Sequence, residues 1–507
     1  MTMQNLTERP LLLAAVAIGL LLAAYLVRLN QILSSTPEPI RRLSPKRWSG
    51  KLLQKTYQRL EAEPITTKSY AHCIPPKLER RYVITGGSGL VGGYMVLQLL
   101  ERGQPPESIR IVDFRAPNRN DMTSSPAAAA VDFVRADISS AESTDRAFAK
   151  PWPASVAHLP LTVFHTAAVI VPSDRSRLVY SFCEAVNVRG TQHVVDSARR
   201  AGADVLVSTT SASISIRPVG FWVAPWKLWS RSSKLADAGL RHFWQVLDEA
   251  DFFEPPREHH EYYANYPASK AAAERIVCVA NAPGFRTGCI RPGNGVYGNP
   301  TDNTVGGPLN MGVYPTWTCH IVQSFVHGIN AAIAHLQFEA VLAMGPEAAS
   351  APQAGRPFVV TDPNPPIAYS DLYFAIASLA VTPFRTIPLQ PILMLLLSYP
   401  IEWYNLLPAR VPFLRGLVPQ LTADAKHLQP ALFSICTHLI ASDAVVSKPV
   451  EAGGLGYIGV LTTLEGMTQE VVEWNREHKA ASAAGTEVVY LTSVSLAEEI
   501  KKARGAV

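Results

Sequence analysis

Tyr266 and Lys270 stand four residues apart in Tyr266-Pro267-Ala268-Ser269-Lys270. A helix over residues 266–280 would put this phenol and ammonium on one face. A phenol in water titrates near pKa 10, too high for a useful base at neutral pH. A neighbouring cation favours the phenolate and lowers that value, which is the tuning that general-base catalysis requires. The same spacing also arises by chance in surface pairs, so its weight depends on what surrounds it.

A second cluster lies upstream. Thr85-Gly86-Gly87-Ser88-Gly89-Leu90-Val91-Gly92 follows a run that reads as a strand and opens one that reads as a helix. Glycines at 86, 89 and 92 permit a tight turn and let backbone N–H groups approach a pyrophosphate. The helix N-terminus adds partial positive charge. No Gly-Lys-Ser/Thr follows, which excludes a P-loop. Asp113 ends the next strand, twenty-one residues beyond Gly92. A carboxylate there can accept both hydrogen bonds of an adenine ribose and would repel a 2′-phosphate, so the loop predicts NAD ahead of NADP. Arg115 and Arg119 temper that preference.

These groups need a scaffold. Runs of strand character occur at Tyr82–Thr85, Ile109–Phe114, Asp132–Ala136, Leu161–His165, Val205–Thr209 and Gly288–Arg291. Helical stretches separate them, among them Leu90–Arg102 and Phe182–Ala201. Such alternation predicts an α/β fold, a Rossmann-like doubly wound parallel sheet. The expected organisation is an anchor over 1–30, a basic tether over 31–80 with one helix near Lys51–Glu61, a nucleotide-binding unit over 81–292, a smaller mixed α+β substrate-binding region over 293–477, and a tail over 478–507 that receives no role.

The motifs occur in an order that resembles the extended short-chain dehydrogenase/reductase superfamily, most closely its 3β-hydroxysteroid dehydrogenase and sterol-4-carboxylate 3-dehydrogenase branch. The glycine loop has the extended-family form. Ala136-Asp137-Ile138 resembles the adenine-contacting motif, and Val163-Phe164-His165-Thr166-Ala167-Ala168 the fourth-strand motif beside the cofactor. Asn187-Val188-Arg189-Gly190-Thr191 resembles the helix whose Asn supports the active site. Ser208-Thr209-Thr210-Ser211-Ala212-Ser213-Ile214 resembles the strand that carries the catalytic Ser, which points to Ser211 with Thr210 as the rival. Arg291-Pro292-Gly293 resembles the Arg-Pro signature, and Leu455-Gly456-Tyr457 with Leu464-Glu465-Gly466-Met467 and Trp474 the family's ending. The resemblance implies Tyr266, Lys270 and Ser211 as the catalytic set and Asn187 as support. It also implies a cofactor site of Gly86, Ser88, Gly89, Leu90, Val91, Gly92, Asp113, Asp137, Ile138, Ala167, Ala168 and Pro292, with Tyr266 and Lys270. Two departures stand out. Fifty-five residues separate Ser211 from Tyr266, and the Val-x-Asn motif expected before a late His is poorly matched around Gln323–His327.

Charge and hydropathy locate the chain. Residues 1–80 hold 12 Lys/Arg against 5 Asp/Glu, and the remainder 34 against 36. A near-neutral body argues against a nucleic-acid groove. Leu11–Val27 is an uncharged apolar run of 17 residues. Such a helix would be about 25 Å long, at the short end of the spanning range. Basic residues after it place the body on the cytosolic side of a membrane by the positive-inside rule, as a single-pass protein expected in the endoplasmic reticulum. The insertion at 218–261 carries Trp222, Trp226, Trp229 and Trp244 among Lys227, Arg231, Lys234 and Arg241. The stretch at 389–417 is apolar but broken by prolines. Both suit either a membrane interface or a cover over substrate. Six scattered cysteines without a C-x-x-C pair signal neither a disulfide framework nor a metal site.

The expected activity is NAD-dependent oxidation of a lipophilic secondary alcohol, a 3β-hydroxyl of a sterol, steroid or related terpenoid, with decarboxylation following if a carboxylate sits beside the new ketone. A ketoreductase of another lipophilic metabolite, a nucleotide-sugar epimerase or dehydratase, and a non-catalytic NAD sensor are the alternatives. A homodimer is left open.

Overall fold

Burial alternates along the first strand, with Tyr82 and Ile84 on one face and Val83 on the other. The same period of two recurs in Val205, Leu206 and Val207. A strand apolar on both faces belongs inside a sheet covered by helices on each side. The computed structural model describes residues 4–229, 240–419, 421, 423–486, 488, 490 and 492–503. It places seven strands in one parallel sheet: β1 (Arg81–Thr85), β2 (Ile109–Asp113), β3 (Asp132–Arg135), β4 (Leu161–His165), β5 (Ala203–Thr209), β6 (Arg286–Pro292) and β7 (Pro357–Val360). Their order is β7-β6-β5-β4-β1-β2-β3. The chain reverses its direction of travel between β1 and β4, and such a switch point opens a crevice at the carboxyl ends of the strands.

Helix α2 (Leu90–Glu101) and a later helix over Gly328–Leu342 cover one face through Met95, Leu99, Leu336 and Phe338. On the other face α3 (Gly190–Arg200) and α4 (Asn265–Val279) contribute Val194, Val195, Ala198 and Val277. Each large apolar side chain taken fully out of water stabilises the fold by roughly 1.5–3 kcal/mol. The six strands expected from the sequence are present, with ends differing by one or two residues. The seventh, Pro357–Val360, was not expected, and it pairs with the Arg291-Pro292 strand.

A second sheet of four short strands joins Trp244–Leu247, His438–Ala441, Val322–Gln323 and Ile367–Ala368. The Trp-rich insertion thus feeds a strand into this smaller α+β region. Its residues 230–239, with Arg231 and Lys234, lie outside the described residues.

Near the N-terminus α5 (Gln4–Leu33) is exposed over Leu11–Leu22. Its last turns are packed: Leu29, Ile32 and Leu33 are buried with Leu228, Leu395 and Phe433. Among the described residues it is the one helix long and apolar enough to cross a membrane. Residues 31–80, expected to run as a tether, fold onto the body. The helix Gly50–Ala62 buries Leu53 and Leu60, and Gln469 bridges both the N–H and the C=O of Ile65. The stretch expected to be broken by prolines forms a continuous helix, α6 (Pro391–Arg410), with Pro400 and Pro408 inside it. It leaves Leu393, Leu397 and Trp403 exposed beside the packed end of α5.

Candidate active site

The glycine loop sits between β1 and α2 at the switch point. Gly86 has φ +76°, and a Cβ there would lie 2.6 Å from the Ala167 nitrogen. A Cβ on Gly92 would lie 2.4 Å from the Gly86 carbonyl oxygen. Neither position admits a side chain, which keeps the backbone bare at the crevice floor. Asp113, at the end of β2, accepts from Ser88 N at 3.0 Å and from Arg115 N at 3.4 Å. Burial holds its carboxyl above the ordinary range. Asp137 accepts from the Ser139 N–H and hydroxyl, and Ile138 is buried beneath Gly190. Leu90 and Val91 open α2 half-buried, and Ala167 and Ala168 follow β4 opposite the loop. Pro292 closes β6. Bare glycine backbone, a helix N-terminus and a carboxylate at the end of the second strand fit a dinucleotide.

The two arginines that tempered the cofactor preference are both engaged. Arg115 pairs with Glu499. Arg119 pairs with Asp121, donates to the Gly89 and Leu90 carbonyls and stacks on Tyr94.

Tyr266 and Lys270 lie in the first turns of α4, and both are buried. Burial pushes the Tyr266 phenol up to about 12, against which a hydrogen bond with Ser211 acts. The expected lowering by Lys270 is not seen here: Lys270 Nζ donates to the Thr209 carbonyl at 2.9 Å, and burial brings its ammonium down to about 8. Ser211 Oγ donates to Ser213 Oγ at 2.8 Å and accepts from Ser213 N at 3.1 Å, which fixes its rotamer. The rival Thr210 is turned away, its hydroxyl donating to Glu274 Oε2 at 2.9 Å. The structure therefore brings Ser211, not Thr210, to the phenol.

Asn187 lies in a π-helical turn over Glu184–Arg189 that leads into α3. Such turns shift the side-chain register within a helix and recur at functional sites. Its Oδ1 accepts from Val169 N at 2.9 Å, and its Nδ2 donates to the Val169 carbonyl at 3.0 Å and to Ser269 Oγ at 2.9 Å. Ser269 Oγ in turn donates to the Tyr266 carbonyl at 2.7 Å.

Other groups hold the scaffold; His165 and Arg291 stand in the quoted motifs without a role of their own, and Glu274 and Asp251 were not singled out from the sequence. His165 bridges Thr85 Oγ1 at 2.6 Å and Thr191 Oγ1 at 2.9 Å, and burial brings its imidazole down to about 3, so it is neutral. Arg291 of the Arg-Pro signature forks onto Glu274 through Nε at 2.8 Å and Nη2 at 2.5 Å, and reaches Asp251 through Nη1 at 2.7 Å. This buried network ties α4 to β6 and to the insertion. Arg291 is therefore a clamp on α4. His327 is buried against Tyr297 and accepts from Ile329 N at 3.1 Å. Cavities of about 210 and 510 Å³ open beside Arg177, Arg257 and His259 on the outer side of α4, away from the phenol and ammonium.

The parallel sheet with its glycine-turn crevice defines a Rossmann-like α/β fold of the kind that extended short-chain dehydrogenases/reductases share. Within that class, residues 83–218 match the 3-beta hydroxysteroid dehydrogenase/isomerase family and residues 158–324 the male sterility protein family. A 3-beta-hydroxysteroid dehydrogenase of Mycolicibacterium neoaurum is 32% identical over 26% of this chain and 32% of its own length. The mouse sterol-4-alpha-carboxylate 3-dehydrogenase, decarboxylating, is 28% identical over 43% of this chain and 46% of its own. The chain thus spans a third to a half of the length of the curated relatives it matches. A UDP-glucose 4-epimerase of Thermus thermophilus solved with NAD superposes with a TM-score of 0.48 at 18% identity, covering 78% of this chain and 99% of that one.

Proposed function

We propose that this chain is an NAD-dependent dehydrogenase that oxidises a secondary alcohol of a sterol, steroid or related terpenoid, its 3β-hydroxyl, while anchored to a membrane by α5. The observation that carries the reading is the buried Tyr266 phenol, beside Ser211 and one helical turn from Lys270, at a crevice floored by side-chain-free glycine backbone. The names of the matched relatives support the substrate class.

Gly86, Ser88, Gly89 and the α2 N-terminus would hold the pyrophosphate, and Asp113 the adenine ribose. The engagement of Arg119 by Asp121 favours NAD over NADP. When bound, oxidised nicotinamide supplies a hydride acceptor and a positive charge. With that positive charge favouring its phenolate, Tyr266 Oη takes the hydroxyl proton, Ser211 Oγ positions the same oxygen, and Lys270 Nζ, held on the Thr209 carbonyl, would bind the nicotinamide ribose hydroxyls. Asn187 and Ser269 keep the phenol in register, and alignment of this kind accounts for much of the catalysis.

Residues 389–417 and the Trp-bearing insertion form an apolar surface beside the anchor, with Trp226, Phe413 and Leu417 among its most exposed side chains. It suits residence at the endoplasmic reticulum membrane and delivery of a lipid-soluble substrate. The test is NADH production by membranes holding the chain, given 3β-hydroxysterols with and without a C4 carboxylate. Turnover of a sterol sustains the reading, and release of carbon dioxide from the carboxylated member adds the decarboxylation. Silence on sterols with turnover of a UDP-sugar overturns it.

A further inference from the structure

The segment after Thr492 forms an amphipathic helix, α7 (Ser493–Ala503), capped by Thr492 Oγ1 accepting from Ser495 N at 3.3 Å. Its position is specific. Glu499 pairs with Arg115, two residues beyond the ribose-site carboxylate at the end of β2. Glu498 pairs with Lys426 and with His427 Nε2 at 2.7 Å, and His427 Nδ1 lies 3.2 Å from Ser173 Oγ in the segment that follows β4. Ala497 is 3% exposed in the apolar cluster with Val112, Ala136, Ile138 and Val169, and Ile500 packs against that cluster. The order β4-β1-β2 puts the end of β1, and with it the glycine turn, between these two rims. Adjacent strands are about 4.8 Å apart, so the rims are about 10 Å apart, and the diverging side chains of Glu498 and Glu499 reach one each, Glu498 through His427.

We propose that α7 is an internal competitor for the crevice: it holds both rims and covers the apolar wall against which an adenine would lie, and it must leave before a dinucleotide settles. This rests on the dinucleotide reading above. The contacts are of a kind that can be exchanged. Each ion pair is partly exposed and individually weak, and Arg115 is freed when Glu499 departs. A protein whose competent state is populated one part in ten binds its ligand with apparent affinity reduced about tenfold. The helix therefore sets the cofactor concentration at which the enzyme becomes loaded.

The test compares the full chain with its E498K/E499K variant, which reverses both rim contacts, using NADH fluorescence titration and hydrogen exchange across residues 493–503. The expected result is NADH binding about tenfold tighter in the variant, together with faster exchange of α7 in the wild-type chain on adding NAD. Equal or weaker binding in the variant, or slower exchange of α7 with NAD, overturns the inference and leaves the cofactor reading standing. Failure of both chains to bind NAD or NADH ends the cofactor reading and the inference with it. Should the variant not fold, the exchange measurement on the wild-type chain decides alone.

Discussion

Asn187 Nδ2 donates to Ser269 Oγ at 2.9 Å, although the two residues are 82 apart in sequence. The bond links the π-helical turn before α3 to the first turns of α4, between the phenol and the ammonium. Because Asn187 also takes both the N–H and the C=O of Val169, one buried side chain registers the β4 exit against α4.

Replacing Asn187 by Ala leaves the Val169 amide and carbonyl without these partners. A stability loss of about 1–3 kcal/mol is expected for a buried group left unsatisfied. The turnover number should fall more than the NAD affinity, because the disturbed element carries Tyr266 and not the glycine turn. Urea unfolding together with separate kcat and Kd measurements checks this.

Tyr266→Phe removes the proton acceptor while keeping the ring. A fall in turnover of about 100- to 10,000-fold is expected, with NAD affinity little changed. Ser211→Ala should lower kcat as well. Thr210→Ala, whose hydroxyl serves Glu274, should cost stability instead. Equal kinetic effects of the last two would reverse the assignment of the positioning hydroxyl.

His165 gives the fold an acid sensitivity whose sign is fixed. Its folded value of about 3 lies below the ordinary 6.5, so the unfolded chain binds the extra proton. The favourable contribution is complete above pH 6.5 and is lost as pH falls toward 3. Asp362 and Glu473, raised by burial to about 6 and about 7, act in the opposite direction and are common to both chains in a comparison. A His165→Gln variant should lose about 2 kcal/mol less than the wild type between pH 7 and pH 5. Denaturant midpoints at the two pH values measure it.

Glu274→Ala leaves the buried Arg291 guanidinium with Asp251 as its remaining acid. Breaking one side of such a pair costs about 3–5 kcal/mol. Because Glu274 lies in α4, NADH production should decay with temperature earlier than in the wild type, and thermal inactivation rates would show it.

The fold was legible in the sequence because strand periodicity, the glycine turn and the ordered motifs are local signals. The motif named Ser211 with Thr210 as its rival, and in the structure Thr210 faces the Glu274–Arg291 network. What escaped was non-local. Nothing near Glu274 or Asp251 announces that they meet Arg291 across 17 and 40 positions. The Pro357–Val360 strand is short, and the Gly355 and Asp362-Pro363-Asn364-Pro365-Pro366 punctuation around it reads as one long loop. Residues 31–80 read as a tether because their prolines and charges resemble a linker, yet Leu53 and Leu60 find partners in helices hundreds of residues away. The expected influence of Lys270 on Tyr266 gave way to a nearby carbonyl, which the ammonium meets first.

The last turns of α5 are bolted into the body through Tyr25 Oη on the Val223 carbonyl and Asn30 Nδ2 on Gln390 Oε1. With α5 seated in a bilayer, as proposed, a head mounted so rigidly would have no slack with which to roam above the lipid. Its height and tilt would then be set once, by the masonry at residues 25–33, and a ligand rising out of the leaflet would meet the same doorway at every encounter.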